Sequence, residues 1–183
     1  MNLFEQLGLD EPILKAISDM GFETPSEIQQ KAIPTLLANG ADMVALAQTG
    51  TGKTAAFGFP LLQLIDTDSK LTQGLILSPT RELCLQIADD LKGFGKYIDG
   101  LHVVAVYGGA SIITQIHELK HGAQIIVATP GRLIDLMERG VVKLENVRNV
   151  VLDEADEMLN MGFSDSINTI FEAVPADRNT LLF

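Results

Sequence analysis

From Asp42 onward, short apolar runs alternate with longer stretches whose apolar residues recur at helical spacing. The runs are Met43–Ala47, Gly74–Ser78, Val103–Val106, Ile125–Ala128, Val150–Leu152 and Thr180–Phe183. Helical patterns follow most of them, most clearly over Thr54–Ile65, Arg81–Tyr97, Arg132–Arg139 and Phe163–Ala173. Strands too apolar to have a solvent face, joined by helices, predict an α/β fold: a parallel β-sheet flanked by helices on both faces. The segment before it, residues 1–40, reads as helical. Pro12 to Met20 is amphipathic and Gly21 stops it; Thr24-Pro25-Ser26-Glu27 then opens a second helix, with Pro25 near its first turn. Residues 41–183 form the sheet domain.

Ligands of such sheets bind beyond the carboxyl ends of the strands. Two stretches there carry chemistry. Ala47-Gln48-Thr49-Gly50-Thr51-Gly52-Lys53-Thr54 follows the first run. Gly50 and Gly52 allow a tight turn whose N–H groups face inward, and the helix beginning near Lys53 adds its positive end. Lys53 would neutralise β- and γ-phosphate charge, and the Thr54 hydroxyl would ligate Mg²⁺. The competing reading is a glycine turn ahead of an ordinary helix. The second stretch, Asp153-Glu154-Ala155-Asp156, closes the run Val150–Leu152. Asp153 would hold Mg²⁺ through water, and Glu154 would orient the attacking water or accept its proton. Asp156 suits a coupling role. A solvated acidic helix cap is the alternative.

Charge and composition narrow this further. With 183 residues and 46% hydrophobic positions, the chain can bury one full core. A formal net charge of -11 opposes non-specific attraction to nucleic acid, so any such binding must come from a local patch. The single cysteine, Cys84, excludes an internal disulfide and reads as a packed thiol. His102, His117 and His121 show no metal-ligand spacing with other candidates and read as structural or solvated. Met158 and Met161 read as core, and Asp66–Lys70 as a solvated loop. No signal peptide and no membrane span is evident. The expectation is a cytoplasmic protein without membrane contact, working as a monomer.

Taken together, these residues resemble the DEAD-box RNA helicases. Asp153-Glu154-Ala155-Asp156 spells that family's namesake motif, and Ala47–Thr54 is similar to its phosphate loop. Gly21-Phe22-Glu23-Thr24-Pro25-Ser26-Glu27-Ile28-Gln29 looks like its adenine-recognition element, with Phe4 where the family keeps an upstream aromatic. Pro79-Thr80-Arg81-Glu82-Leu83, Gly108-Gly109 and Thr129-Pro130-Gly131-Arg132 resemble its RNA-contacting motifs. The resemblance implies ATP and Mg²⁺ as cofactors. Phe4, Thr24, Gln29, Gln48, Thr49, Gly50, Thr51, Gly52, Lys53 and Thr54 would surround the nucleotide, with Lys53, Asp153 and Glu154 catalytic. Single-stranded RNA would be the partner, held by its backbone and without sequence preference. Gln29 has the donor and acceptor that the adenine edge requires. Phe4 could stack on the base or simply pack a helix, and Arg81 could meet phosphate or pair with Glu82. The family's next motif, Ser-Ala-Thr, would begin after Phe183, inside the last apolar run, so the chain reads as the first of two RecA-like motor domains, truncated. Two other classes compete. A DNA-directed motor or nucleotide switch sits poorly with Gln29 and the Thr129–Arg132 loop. A non-catalytic scaffold has no use for Lys53, Thr54, Asp153 and Glu154 together.

Overall fold

The computed structural model describes residues 2–38, 42–47, 50 and 52–183. Among them, six strands form one all-parallel sheet in the order β1-β6-β5-β2-β4-β3. They are β1 (Met43–Val44), β2 (Gly74–Leu77), β3 (Val103–Val106), β4 (Ile125–Ala128), β5 (Asn149–Leu152) and β6 (Asn179–Leu182). Every predicted run overlaps one, and β5 and β6 each begin one residue earlier than expected, at Asn149 and Asn179. The central β2, β4 and β5 are buried at all positions, as strands covered on both faces must be.

The helices are α1 (Glu11–Asp19), α2 (Glu27–Leu37), α3 (Lys53–Gln63), α4 (Arg81–Phe94), α5 (Ile112–Lys120), α6 (Pro130–Glu138), α7 (Ala155–Asn160) and α8 (Ser164–Ala173), with a 3₁₀ turn over Glu5–Leu7. Ser26 caps α2 in a capping box with Gln29, which leaves Pro25 outside the helix rather than in its first turn. The apolar pattern does not single out α5 or α7. Ile113 of α5 is 75% exposed and only Gln115 of that helix is buried, so its core stripe is thin. At six residues, α7 is too short to show a period.

Alternation along the strands divides the core in two. Ile76, Val127, Val151 and Leu181 face one cluster, closed by α1 to α4; Leu75, Leu77, Ile126, Val150 and Leu152 face the other, closed mainly by α6 and α8. Phe4, Ile13, Ile17 and Ile33 are fully buried in the first cluster. Each such side chain contributes roughly 1.5–3 kcal/mol, so the N-terminal helices are held firmly on the sheet beside the strand ends. Met158 is core, but Met161 is 49% exposed, against expectation, because it lies in the turn after α7. No helix among the described residues is long and apolar enough to cross a membrane.

Candidate active site

Beyond the carboxyl end of β5, a cleft of about 790 Å³ opens between the α1–α2 loop, the starts of α2 and α3, and the turn after β5. Gly50 and Gly52 line it at φ +85° and +77°, conformations that glycine adopts without strain. Gly52 is required twice over: a Cβ there would come within 2.2 Å of Nε2 of Gln29. Gln48, Thr49 and Thr51, also expected at the nucleotide, lie outside the described residues.

Lys53 opens α3 and is only 8% exposed. Its ammonium donates to Oε1 of Glu154 at 2.6 Å and lies 3.0 Å from Oδ1 of Asp153. Burial alone would lower the Lys53 pKa, but its hydrogen bond to Glu154 and the negative charges of Asp153 and Glu154 outweigh it and hold the ammonium above its ordinary value. For Asp153 burial wins and its pKa is raised, although Lys53 works against the shift. The ion-pair distance to Oδ1 does not amount to a well-directed hydrogen bond, and that oxygen has no hydrogen-bond partner. A buried carboxylate oxygen short of a partner, with the Thr54 hydroxyl lining the same cleft, is the hard oxygen donor set that Mg²⁺ takes. Glu154 is the one described non-glycine residue with positive φ, at φ +53° and ψ +50°. This left-handed turn starts α7, and the Glu154 side chain meets Lys53 in the cleft. Asp156 is exposed and takes part in no described hydrogen bond or ion pair, so its coupling role has no partner within these residues.

The adenine end differs from expectation in two respects. Phe4 lines the cleft but is 1% exposed, its ring edge-on to Phe59 with 6.1 Å between centroids. It has no face open to a base and serves as core. The available ring is Phe22, 43% exposed in the α1–α2 loop beside Thr24, inside the Gly21–Gln29 motif. Gln29 already uses its amide: Oε1 accepts from Ser26 N–H at 3.0 Å and Nε2 donates to the Gly52 carbonyl at 3.1 Å. One N–H and one lone pair remain for a base, and the amide also ties α2 to the phosphate loop.

The remaining motifs follow β2, β3 and β4. Arg81 donates to the Gly109 carbonyl at 3.3 Å and lies over the Tyr107 ring. No described carboxylate pairs with it, which removes the Glu82 alternative. Arg132 is more committed, donating to the Ala110 carbonyl at 3.1 and 3.2 Å and to Oε1 of Gln115 at 3.0 Å. Gln115 also bridges both backbone groups of Tyr107. Arg132 and Gln115 thus shape the Gly108–Ala110 loop, and nothing in the sequence marks Gln115 for this. Pro79 and Pro130, expected on the RNA face, are buried and have no N–H to offer; Pro130 is the first residue of α6. The Thr80 hydroxyl caps α4 through Leu83 N–H at 3.2 Å, whereas Thr129 makes no cap bond. Gly108, Gly109 and Gly131 are exposed.

Away from these motifs, Cys84 is fully buried against β3 and β4, which pushes its thiol up to about 12. His117 and His121 stack edge to face on α5, and no described group of three or more His, Cys, Asp or Glu side chains could hold a metal ion.

The family model for DEAD/DEAH box helicases matches residues 26–183. Among similar proteins are the ATP-dependent RNA helicase DeaD of Haemophilus influenzae, 53% identical over 98% of this chain, and the ATP-dependent RNA helicase CshA of Listeria monocytogenes, 52% identical over all of it. The chain spans only 29% and 35% of their lengths. Of solved structures, a DEAD box protein from the hyperthermophile Methanococcus jannaschii superposes with a TM-score of 0.93 at 44% identity, covering 98% of this chain and 49% of that one. Saccharomyces cerevisiae Dbp5 bound to RNA and ADP BeF3 superposes with a TM-score of 0.88 at 35% identity, covering 100% of this chain and 46% of that one.

Proposed function

The chain belongs to the DEAD/DEAH box helicase family, and from that premise we propose that it is the ATP-binding motor domain of an ATP-dependent RNA helicase. ATP would occupy the cleft, and single-stranded RNA would cross the ends of β2, β3 and β4 by its backbone. A second RecA-like domain, beyond the share of its relatives that this chain spans, would complete both sites. The observation that carries the reading is the placement of Lys53, Asp153 and Glu154 within ion-pair distance in the cleft that Gln29 and Gly52 enclose.

The chemistry follows from an exchange of partners. Incoming phosphates draw the Lys53 ammonium away from the two carboxylates. Glu154, released, is free to accept a proton from the attacking water. Asp153 and Thr54 would hold Mg²⁺, whose charge offsets that of the phosphates. Phe22 supplies a ring face to adenine, and the spare N–H and lone pair of Gln29 read its edge.

Calorimetric titration tests the nucleotide half. ADP should bind with clear preference over GDP. Phe22→Ala should weaken ADP binding by about 1–3 kcal/mol, the range for a base stacked on an aromatic ring. Phe4→Ala should instead cost about 3–5 kcal/mol of folding stability, as for a buried Phe. Equal affinity for ADP and GDP would sink the adenine assignment.

For RNA, Arg81→Ala should weaken all single-stranded sequences alike and reduce the salt slope by about 0.7, the loss of one phosphate contact. Arg132→Ala should weaken RNA more than one lost charge explains, because it also frees the Gly108–Ala110 loop. Filter binding across a salt series measures both. A loss confined to one oligonucleotide sequence contradicts backbone recognition.

A further inference from the structure

Three buried side-chain polar atoms among the described residues lack a hydrogen-bond partner, and two of them are neighbours: Oγ of Ser78 and Oδ1 of Asp153. Leu77 of β2 and Leu152 of β5 are register partners, so Ser78 and Asp153 follow at the next matched position, on strands about 4.8 Å apart. The ladder continues through both residues, with Asp153 N–H donating to the Leu77 carbonyl at 2.9 Å and Ser78 N–H to the Ala128 carbonyl at 2.9 Å. Two residues earlier, Ile76 and Val151 face the same core cluster. Strand alternation therefore puts the Ser78 hydroxyl and the Asp153 carboxylate on that same face, towards α3 and Lys53. Ser78 is 0% exposed and Asp153 3%. A buried hydroxyl without a partner is costly, and two oxygens at adjacent strand positions that lack a direct hydrogen bond can share one buried water.

We propose that Ser78 is a positioning residue for the metal site, its hydroxyl donating to Oδ1 of Asp153 across one buried water. The proposal rests on the nucleotide reading above. Its value lies in the liganded state. Once Lys53 turns to the phosphates, Oδ1 loses the ammonium 3.0 Å away. The Ser78 hydroxyl, fixed on the neighbouring strand, stays and keeps the carboxylate from rotating away from Mg²⁺. Partners of metal ligands act in this way, and their loss weakens metal affinity by roughly 10–100-fold.

The test uses residues 1–183, with Ser78→Ala and Ser78→Thr, titrating Mg²⁺ into ADP-saturated protein by calorimetry and Mn²⁺ by electron paramagnetic resonance. Ser78→Ala should need about tenfold more of either metal, the lower end of that range, and Ser78→Thr, which keeps the hydroxyl, should return to near the parent curve. ADP affinity in EDTA should be unchanged in both. Superimposable metal curves for parent and Ser78→Ala overturn the proposal, as does an equal loss of ADP affinity with and without metal, the mark of a merely structural hydroxyl. A parent chain that binds no ADP under any condition overturns the nucleotide reading itself, and the proposal with it.

Discussion

Residues 1–183 alone should hydrolyse ATP about 10³–10⁵-fold more slowly than the same chain joined to a second motor domain, the usual worth of an arginine that stabilises the transferring phosphoryl group. The arginines of this chain are Arg81, Arg132, Arg139, Arg148 and Arg178, and none lines the cleft. Arg81 and Arg132 lie at the far strand ends on the Gly108–Ala110 loop. Arg139 pairs with Asp135 at 2.9 Å and Arg148 with Asp177 at 3.5 Å. Arg178 stacks on Phe171 and donates to the Pro175 carbonyl. Lys53 is the cation that lines the cleft, and no arginine stands beside it to meet the charge that develops on the transferring phosphoryl group. RNA should not stimulate residues 1–183 alone, because in the proposed reading the second domain completes the RNA channel. Phosphate release from both forms, with and without RNA, measures this. RNA-stimulated turnover by residues 1–183 alone would overturn the two-domain reading.

Lys53→Ala should abolish measurable nucleotide binding and also destabilise the fold, by about 2 kcal/mol at neutral pH. Seen from the sequence, Lys53 faces ligand rather than core, and its loss should weaken binding without unfolding the domain. In the structure it also neutralises Asp153, whose side chain is 4% exposed, and Glu154. Removing one partner of a buried pair typically costs 3–5 kcal/mol, and the open cleft, which admits water, reduces that. The pH dependence gives the effect away. The Asp153 carboxyl is already raised by burial with Lys53 present, and losing the ammonium raises it further. A group whose folded pKa lies above its unfolded one penalises folding fully above the folded value. The penalty fades as pH falls through that value towards the ordinary carboxylate range. The stability gap between parent and variant should therefore narrow on acidification, and Asp153→Asn in the Lys53→Ala background should close most of it at neutral pH. Denaturant titrations at several pH values follow both. A gap that is absent at neutral pH, or that widens in acid, would mean that Lys53 and Asp153 are not coupled in the fold.

These two expectations differ in where their grounds could be read. The parallel sheet was legible because Gly74–Leu77, Ile125–Ala128 and Val150–Leu152 have no polar side to hide, and because glycines and carboxylates cluster just past such runs. What a motif residue touches was not legible. Phe4 and Phe22 are equally aromatic in the sequence, and only the packing of Phe4 on Phe59 separates the buried ring from the available one. Arg81 and Arg132 look alike, yet Gln115, from a helix whose thin apolar stripe escapes detection, engages one and not the other. Pro79 and Pro130 were carried along with their motifs although neither can donate a hydrogen bond. The pairing of Ser78 with Asp153 depends on strand register across 75 positions of chain, which no local pattern encodes.

The left-handed backbone at Glu154 bears on how this protein could be improved. A side chain held at φ +53° costs roughly 1 kcal/mol that glycine would not incur and asparagine would incur less. That relief is set against the loss of the 2.6 Å pair with Lys53, whose ammonium keeps Asp153 as its second partner. A library sorted for survival at high temperature, with no demand for turnover, would drift towards glycine or asparagine there. Its most durable members would have traded the proposed proton acceptor for tolerance to heat.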